Sequence, residues 1–209
     1  MKKSTDKKEL VQKFRTEAIL DAAMKVIAQR GLDKATMEQV ASEAGISKAT
    51  IYLYFKNKEA LYFHCVIHRL DDVMARMREA VVGVTDPVER VRTIIITQVG
   101  EIDTNRDFFR VFLSERMGVF LDQSTEFGQE FIKRHREYAS LLSDALEDAM
   151  DAGAIRRMDP TRLFYLLFAM VRGMAMFMLL CEEQGPLAAE AGLILDVFFN
   201  GVKVEGPVK

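Results

Sequence analysis

The sequence has few residues that interrupt helices and few that form covalent or metal crosslinks. Its 209 residues include only 4 Pro, 12 Gly and 2 Cys, and no Trp. An all-β protein of this length needs turn residues at intervals of about 8–12 residues, which this chain lacks. Cys65 and Cys181 show no CxxC spacing, which favours reduced thiols in the cytoplasm over a disulfide framework. These scarcities predict an all-α, cytoplasmic protein.

The N-terminus does not have the pattern of a secretion signal, because the charged residues 1–8 precede no apolar run. One apolar stretch, residues 163–181, approaches the length of a membrane span. Arg172 lies at its centre, where inserting a charge into a bilayer costs about 2.5–3.5 kcal/mol. We therefore expect a buried helix of a helical bundle here, and no membrane as a partner.

Charge is unevenly distributed along the chain. The formal net charge is −2, yet residues 1–60 hold 12 Lys and Arg against 8 Asp and Glu, whereas residues 61–209 hold 17 against 23. Lys and Arg are the side chains that neutralise nucleic-acid phosphates. A polyanionic partner is therefore expected for residues 1–60 and not for the remainder.

The N-terminal part carries the spacing of short helices. Residues 1–12 are polar and are expected to form a flexible basic arm. Apolar residues then recur at three- and four-residue intervals over residues 14–27, and Gly31 is placed to stop that helix. Thr36 and Gln39 have the spacing of a capping box, which predicts the start of a second helix.

A third helix follows after a very short turn. The turn is Gly45-Ile46-Ser47, and Ser47 offers an N-cap hydroxyl to a helix over residues 48–55. Two short helices joined by a three-residue turn that contains Gly are typical of the helix-turn-helix motif, whose second helix enters the DNA major groove. The sequence therefore predicts a helix-turn-helix domain over residues 13–60.

Residues 44–61, AGISKATIYLYFKNKEAL, resemble the DNA-binding core of the TetR family of bacterial transcriptional repressors. The resemblance covers residues 14–61 and includes Ala22, Ala23, Gly31, Ala35, Thr36, Val40 and Ala41. It implies a DNA-binding transcriptional regulator with a helical domain for effector binding and dimerisation, which we place at residues 61–205. Six further helices, beginning near residues 58, 88, 108, 127, 160 and 186, bring the expected total to nine.

The third helix supplies the expected contacts to DNA bases. Ile51 and Phe55 lie one turn apart and are expected to face the core, which turns the other positions outward. Lys48, at the N-terminal tip of the helix, is the leading candidate for a direct hydrogen bond to a guanine base. Ala49 and Leu53 are candidates for contacts with a thymine methyl group.

The expected phosphate contacts rest on the family resemblance and on hydroxyl groups near helix starts. A structural role explains some of them equally well, since Thr36 and Ser47 are also helix caps and Tyr54 also has the place of a packing residue. The complete set of predicted DNA-binding residues is Thr36, Ser47, Lys48, Ala49, Thr50, Tyr52, Leu53, Tyr54 and Lys58.

Phe and Met are concentrated in the second domain, where 12 of 14 Phe and 9 of 12 Met lie beyond residue 61. Most of them form the core, but small-molecule sites are also apolar cavities with few polar groups. Arg172 has two interpretations: an ion pair with a carboxylate such as Glu115 or Glu182, or a contact with an acidic ligand. The predicted effector-binding residues are Met117, Phe120, Phe168, Arg172, Met174 and Phe177.

A single helix-turn-helix reads too few bases for specificity, so a symmetric dimer on a palindromic operator in double-stranded DNA is expected. The last two helices are predicted to pair with those of a second copy as a four-helix bundle. The predicted interface residues are Leu163, Leu166, Leu167, Met170, Leu193, Leu195, Val197 and Phe198.

Two other classes of function, metal binding and enzymatic catalysis, have little support in the sequence. Metal binding by His64 and His68, with Cys65, Asp71 or Asp72 nearby, lacks a second cluster of ligands, and no metal or cofactor is expected. Enzymatic function is not expected either, because GxGxxG, GxxxxGK[ST], HExxH and GxSxG motifs are all missing. The alternative to an effector-controlled repressor is a regulator or structural DNA-binding protein that has no small-molecule effector.

Overall fold

The computed structural model describes residues 2–114, 120–180 and 185–202. Over these residues the chain forms nine α-helices and one 3-10 helix, which confirms the predicted all-α class. The helices are α1 (Lys2–Arg30), α2 (Met37–Glu43), α3 (Lys48–Tyr52), α4 (Lys58–Ala80), α5 (Pro87–Thr104), α6 (Arg106–Ser114), α7 (Glu126–Asp151), α8 (Pro160–Leu180), the 3-10 helix (Leu187–Glu190) and α9 (Ala191–Val202).

The first helix is longer than expected, since it begins at Lys2 and takes in most of the predicted arm over residues 1–12. Residues 2–30 contain no Gly or Pro and are rich in Lys, Glu, Gln and Ala, which have high helix propensity. Apolar periodicity gives no signal there, because residues 2–9 are all polar in sequence. The structure therefore corrects the expected start of α1.

Local capping interactions define the next helix ends. The Thr36 hydroxyl accepts a hydrogen bond from the Gln39 amide at 3.3 Å, and the Gln39 side chain accepts one from the Thr36 amide at 3.1 Å. Gly31 and Gly45 adopt φ values of 78° and 67°, the left-handed conformation that glycine adopts most easily. The predicted capping box and the predicted stop at Gly31 are confirmed, and Gly45 follows the end of α2 in the same conformation.

The third helix is shorter than predicted, since it ends at Tyr52 and not at residue 55. The amides of Leu53 and Tyr54 donate to carbonyls only three residues back, at 3.1 and 3.0 Å, so the last turn tightens. The Asn57 side chain then accepts from the Ala60 amide at 2.8 Å and caps the next helix.

The chain divides into two compact units. The N-terminal unit comprises Met1–Arg69 and Asp107–Arg116, and the C-terminal unit comprises Leu70–Arg106 and Met117–Lys209. The boundary thus lies inside α4, whereas the sequence placed it between residues 60 and 61.

Each unit has its own apolar core. In the N-terminal unit, Ile27, Ile51 and Leu61 are fully buried, and these residues hold α1, α3 and α4 together. In the C-terminal unit the fully buried residues from α5, α7 and α8 include Ile94, Ile95, Leu142, Leu146 and Phe164.

The α8 helix has two apolar faces. Within the described residues, one helical segment, Pro160–Met178, is long enough and apolar enough to cross a membrane by length and composition alone. Only 28% of this segment is buried. Leu163 and Leu167 are in the core, whereas Leu166 and Phe177 are about half exposed, at 57% and 49%. Exposed apolar side chains on a helix mark a candidate interaction surface.

Candidate DNA-binding surface and effector cavity

The turn before α3 is held by its own backbone and side chains. The Ile46 amide donates to the Ala41 carbonyl at 2.9 Å, which closes the end of α2. The Ser47 hydroxyl accepts from the Thr50 amide at 3.1 Å and lies 2.8 Å from the Thr50 hydroxyl. Since Ile51 is fully buried, α3 presents a fixed outer face.

This outer face carries the residues predicted to meet DNA bases. Lys48 and Ala49 are exposed, Tyr52 is 45% exposed, and Leu53 is 84% exposed. The side of α3 that carries Ile51 is buried, as the sequence predicted. An exposed Leu at this position has no packing role in the protomer, so its apolar surface is available to a partner.

Lys48 is not isolated on that face, because its ammonium forms an ion pair with the carboxylate of Glu38 on α2. The hydrogen bond from Lys48 lowers the pKa of the Glu38 carboxyl, and the same bond raises the pKa of the Lys48 ammonium. Sequence reasoning missed Glu38, because the pair joins two separate helices and has no helical spacing.

The predicted phosphate-binding residues are exposed or partly exposed. Lys58 donates its ammonium to the backbone carbonyl of Asp33 at 2.9 Å, which leaves two further N–H donors on the group. Thr36 is exposed, and Tyr54 is partly exposed. The hydroxyls of Thr36 and Ser47 do act as caps, and their contact with DNA remains a prediction.

Several predicted effector residues belong to aromatic clusters in the C-terminal unit. Phe120 is buried, with ring centroids 5.6 Å from Phe127 and 5.0 Å from Phe131. Phe168 lies 5.5 Å from the His135 ring and 5.8 Å from the Phe164 ring. These residues form core packing, and Met117 lies outside the described residues.

A cavity of about 560 Å³ opens between α8, the 3-10 helix and α9. Two predicted effector residues, Met174 and Phe177, line it, whereas Phe120, Phe168 and Arg172 do not. Arg172 is half-buried on α8. The full lining is Gly173, Met174, Phe177, Met178, Gly185, Pro186, Ala189, Glu190 and Leu193.

One wall of the cavity is anchored to the end of α5. The Asp103 carboxylate accepts hydrogen bonds from the amides of Leu187 at 2.8 Å and Ala188 at 2.6 Å. Arg106 donates to the Gly185 carbonyl at 2.7 Å and pairs with Asp103 at 3.0 Å. Burial opposes ionisation of Asp103, but the hydrogen bonds from Ala188, Leu187 and Arg106 outweigh it and lower its pKa.

The predicted dimer residues fall into two groups. Leu166, Leu193 and Val197 are 57%, 51% and 54% exposed, and Met170 is half-buried. The other four are buried in the core of their own chain, and their contact with a second copy stays a prediction: Leu163, Leu167, Leu195 and Phe198. Tyr165 and Phe177, which the sequence did not place at an interface, are exposed on α8.

The residues considered for a metal site have other neighbours. His64 packs edge-on against Phe55, with ring centroids 5.3 Å apart. Cys65 is buried, and its thiol donates to the Leu20 carbonyl at 3.6 Å. Within residues 2–114, 120–180 and 185–202 no three His, Cys, Asp or Glu side chains converge on one point.

Two family models match the chain. The model of bacterial regulatory proteins of the tetR family matches residues 19–65, and the model of the tetracyclin repressor-like C-terminal domain matches residues 84–178. The second match extends the family likeness beyond residues 14–61, where the sequence placed it. The two matches fall on the helix-turn-helix and on the helices that follow it.

Named relatives are transcriptional regulators rather than enzymes. The fatty acid metabolism regulator protein of Bacillus subtilis is 24% identical over 186 residues, covering 88% of this chain and 93% of that protein. The HTH-type transcriptional regulator YhgD of Bacillus subtilis is 30% identical over 151 residues, covering 70% of this chain and 74% of that protein.

Solved structures share the fold. FadR from Bacillus subtilis, in complex with stearoyl-CoA, matches with a TM-score of 0.78 at 22% identity, over 89% of this chain and 98% of that one. SmeT, the repressor of a Stenotrophomonas maltophilia multidrug efflux pump, matches with a TM-score of 0.73 at 24% identity, over 91% of each chain. The chain belongs to the TetR family of bacterial regulatory proteins and is a DNA-binding transcriptional regulator.

Proposed function

We propose that the protein is a homodimeric, cytoplasmic repressor that binds a palindromic operator and is released from it by a small apolar or amphipathic effector. The observation that carries the proposal is the exposed outer face of α3, with Lys48 at its tip and Leu53 84% exposed on a backbone held by Ser47 and Ile51. A rigid helix that presents a cation and small apolar groups matches the edges of bases in a major groove.

Affinity and specificity are assigned to different residues. Thr50, Tyr52 and Lys58 surround the base-facing positions and are proposed to contact phosphates, which fix the orientation of the protein on the duplex. Lys48 and Leu53 are proposed to contact bases, because they are exposed at the tip and end of α3.

The dimer is proposed to form through the α8–α9 apolar face, defined as Tyr165, Leu166, Phe177, Leu193 and Val197. All five residues are about half exposed, at 51%, 57%, 49%, 51% and 54% in that order, and together they form an exposed apolar patch. Apolar side chains on two neighbouring helices are the surface from which a four-helix bundle is built across a two-fold axis. Such a dimer presents two copies of α3 to two half-sites.

The effector is proposed to bind in the cavity between α8 and α9. Its volume of about 560 Å³ lies in the range of small-molecule sites, roughly 300–1,000 Å³. Met and Phe side chains line it, and Glu190 is the charged residue among the lining residues. An acyl chain satisfies the apolar lining, and the matches from Bacillus subtilis include a regulator named for fatty acid metabolism and a FadR structure that contains stearoyl-CoA.

The cavity and the α8–α9 apolar face share residues. Phe177 and Leu193 line the cavity and are also about half exposed on that face. A second copy packed on the face therefore covers part of the cavity mouth. We propose that dimerisation and effector binding influence each other for this reason.

The signal is proposed to travel along α4. Residues 58–69 of this helix belong to the N-terminal unit, and residues 70–80 belong to the C-terminal unit. A ligand acts only through its differential affinity for two states, and a preference of about 1.4 kcal/mol changes the coupled DNA affinity tenfold. Modest contacts in the cavity are therefore sufficient.

The experiment first selects DNA sites from a random duplex library and then measures release of the selected duplex. The ligands are stearoyl-CoA, stearate, free coenzyme A and a set of uncharged aromatic compounds. At least one apolar ligand is expected to lower DNA affinity tenfold or more. If none does, the effector-controlled repressor is overturned in favour of a DNA-binding regulator without an effector.

A cavity-filling variant locates the effector. Met174→Trp adds bulk to the cavity lining and is expected to weaken the response to the effector while DNA affinity without effector is retained. Met158→Trp is the control, because Met158 is exposed and does not line the cavity. An unchanged response in Met174→Trp places the effector elsewhere.

A further inference from the structure

The Glu38–Lys48 ion pair places a carboxylate on the surface that is proposed to meet DNA. The Glu38 side chain is 49% exposed and the Lys48 side chain 62% exposed. Glu38 belongs to the first turn of α2 and Lys48 is the first residue of α3, so the pair spans the helix-turn-helix. Both residues stay accessible to a partner.

Stability does not explain the pair well. Exposed ion pairs contribute little to folding, because solvent screens their attraction and two long side chains lose freedom. A carboxylate next to a DNA-binding helix also repels phosphates, which lowers affinity for every sequence alike. A carboxylate at such an interface gains a favourable contact where it accepts a hydrogen bond from the N4 amino group of cytosine.

The pair has the hydrogen-bonding pattern that a G·C base pair requires. In the major groove, guanine presents two acceptors, N7 and O6, and the paired cytosine presents the N4 amino donor beside them. The Lys48 ammonium is a donor only, and the ionised Glu38 carboxylate is an acceptor only. An ammonium and a carboxylate in contact therefore match the adjacent acceptor and donor of one base pair.

We infer that Glu38 is a specificity-determining residue that reads, together with Lys48, one G·C base pair in each half-site. The inference rests on the proposed DNA contact of Lys48. Glu38 accepts from cytosine N4, holds the Lys48 ammonium toward guanine, and keeps Lys48 from binding a phosphate at sequences that lack the G·C pair.

The inference predicts an unusual combination of effects for Glu38→Gln. Removing the charge frees Lys48 to contact phosphates, so affinity for non-specific DNA rises. The slope of log affinity against log salt concentration steepens by up to about 0.9 per subunit, since each subunit gains one phosphate-neutralising cation. Discrimination between G·C and A·T at the contacted position falls by about 5- to 150-fold.

The test compares DNA sites selected from a random duplex library by the wild-type protein, Glu38→Gln, Lys48→Gln and the double variant. Fixed duplexes with the G·C pair changed to A·T then measure discrimination by titration. Glu43→Gln is the matched control. Glu43 lies on the same helix as Glu38, and its exposed carboxylate pairs with the Lys25 ammonium at 3.7 Å. Thermal melts of every variant show whether folding is preserved.

The expected result is one G·C position per half-site that both single variants lose and that Glu43→Gln retains. The double variant should be no less selective than either single variant, because the two residues read the same pair. If Glu38→Gln selects the same motif as the wild-type protein, the inference about Glu38 is overturned. The proposed DNA-binding function is not affected by that result. Failure of the wild-type protein to select any motif overturns the proposed function instead.

Discussion

The guanidinium of Arg134 binds both carboxylate oxygens of Asp71, with Nε–Oδ1 at 2.7 Å and Nη2–Oδ2 at 3.0 Å. The Arg134 side chain is only 16% exposed, and it also pairs with Glu130 on its own helix. Asp71 lies on α4 just past the boundary of the C-terminal unit. The bidentate pair therefore fastens this part of α4 to α7.

Replacing Asp71 by Asn is expected to reduce the free energy of unfolding by about 1 kcal/mol, because a bidentate, partly buried ion pair is stronger than a screened surface pair. Urea denaturation measures the change. Glu79→Gln is the control, since Glu79 is exposed on the same helix. A double-mutant cycle with Arg134→Gln should give a coupling energy that differs from zero, and additive effects would contradict the assignment.

Three substitutions on the DNA-binding surface separate affinity from discrimination. Tyr52→Phe and Lys58→Ala are expected to weaken binding to all sequences alike, and Lys48→Ala is expected to relax base preference as well. The loss for a base contact is about 1–3 kcal/mol. Titration of selected and scrambled duplexes at several salt concentrations measures both quantities.

Lys58→Ala needs a folding control, because the Lys58 ammonium also bonds the Asp33 carbonyl between α1 and α2. A thermal melt shows whether that link is important for stability. An equal loss of discrimination in all three variants would contradict the division between phosphate and base contacts.

Features that depend on neighbouring residues were predictable from the sequence. The caps at Thr36 and Ser47 each require only a side-chain oxygen and an amide three residues ahead. Gly31 and Gly45 end helices for an equally local reason, their positive φ. The helix-turn-helix is built almost entirely of such signals.

Features that depend on tertiary packing were not predictable. Leu163 and Leu166 look alike in sequence, yet one is in the core and the other is 57% exposed, because α8 is apolar on both faces and periodicity does not tell which face turns inward. The partnership of Glu38 with Lys48 and the anchoring of the cavity wall by Asp103 join residues from different elements. No spacing rule marks such pairs.

Gly128 is expected to tolerate no larger residue. A Cβ at this position would clash with the backbone carbonyl of Asp122, which the turn before α7 holds close to the helix. Gly128→Ala should therefore reduce the free energy of unfolding by about 1–3 kcal/mol, the usual cost of overpacking. Chemical denaturation measures it.

Gly100→Ala is the control for that substitution, because a Cβ at Gly100 of α5 meets no atom within 4 Å. It should stabilise the protein by up to about 1 kcal/mol through helix propensity. Equal effects of the two alanines would contradict the close approach at Gly128.

His135 is expected to make stability sensitive to acid. It is partly buried against the rings of Phe164, Tyr165 and Phe168, and burial lowers its pKa below the ordinary value. As pH falls, the unfolded chain therefore takes up a proton on this ring at a higher pH than the folded chain does. The contribution of the neutral ring to the free energy of unfolding is fully present above pH of about 6.5 and is lost as pH falls through the pKa of the folded state.

His135→Phe removes this titration and retains an aromatic ring. The wild-type protein should lose more unfolding free energy between pH 7 and pH 5 than the variant, as measured by urea denaturation at the two values. Parallel losses would show that other groups govern the acid response.

The final prediction concerns the α8–α9 apolar face. Leu166→Asp and Val197→Asp each place a charge on this face, where both wild-type side chains are more than half exposed. If the face is the dimer interface, each substitution occurs twice per dimer by symmetry. At about 2 kcal/mol per buried side chain, the dimer loses about 4 kcal/mol, and its Kd rises about a thousandfold. Sedimentation velocity at micromolar concentration should then show a dimer for the wild-type protein and a monomer for either variant.

The charged variants should also lose most of their affinity for a palindromic duplex while binding of each subunit to a single half-site is unchanged, because the helix-turn-helix is in the other unit. Val82→Asp is the matched control, since Val82 is 79% exposed and lies outside α8 and α9. Its dimerisation and DNA binding should equal those of the wild-type protein. A wild-type monomer at micromolar concentration contradicts the homodimer itself, whereas dimers of Leu166→Asp and Val197→Asp leave the homodimer standing and move its interface away from this face.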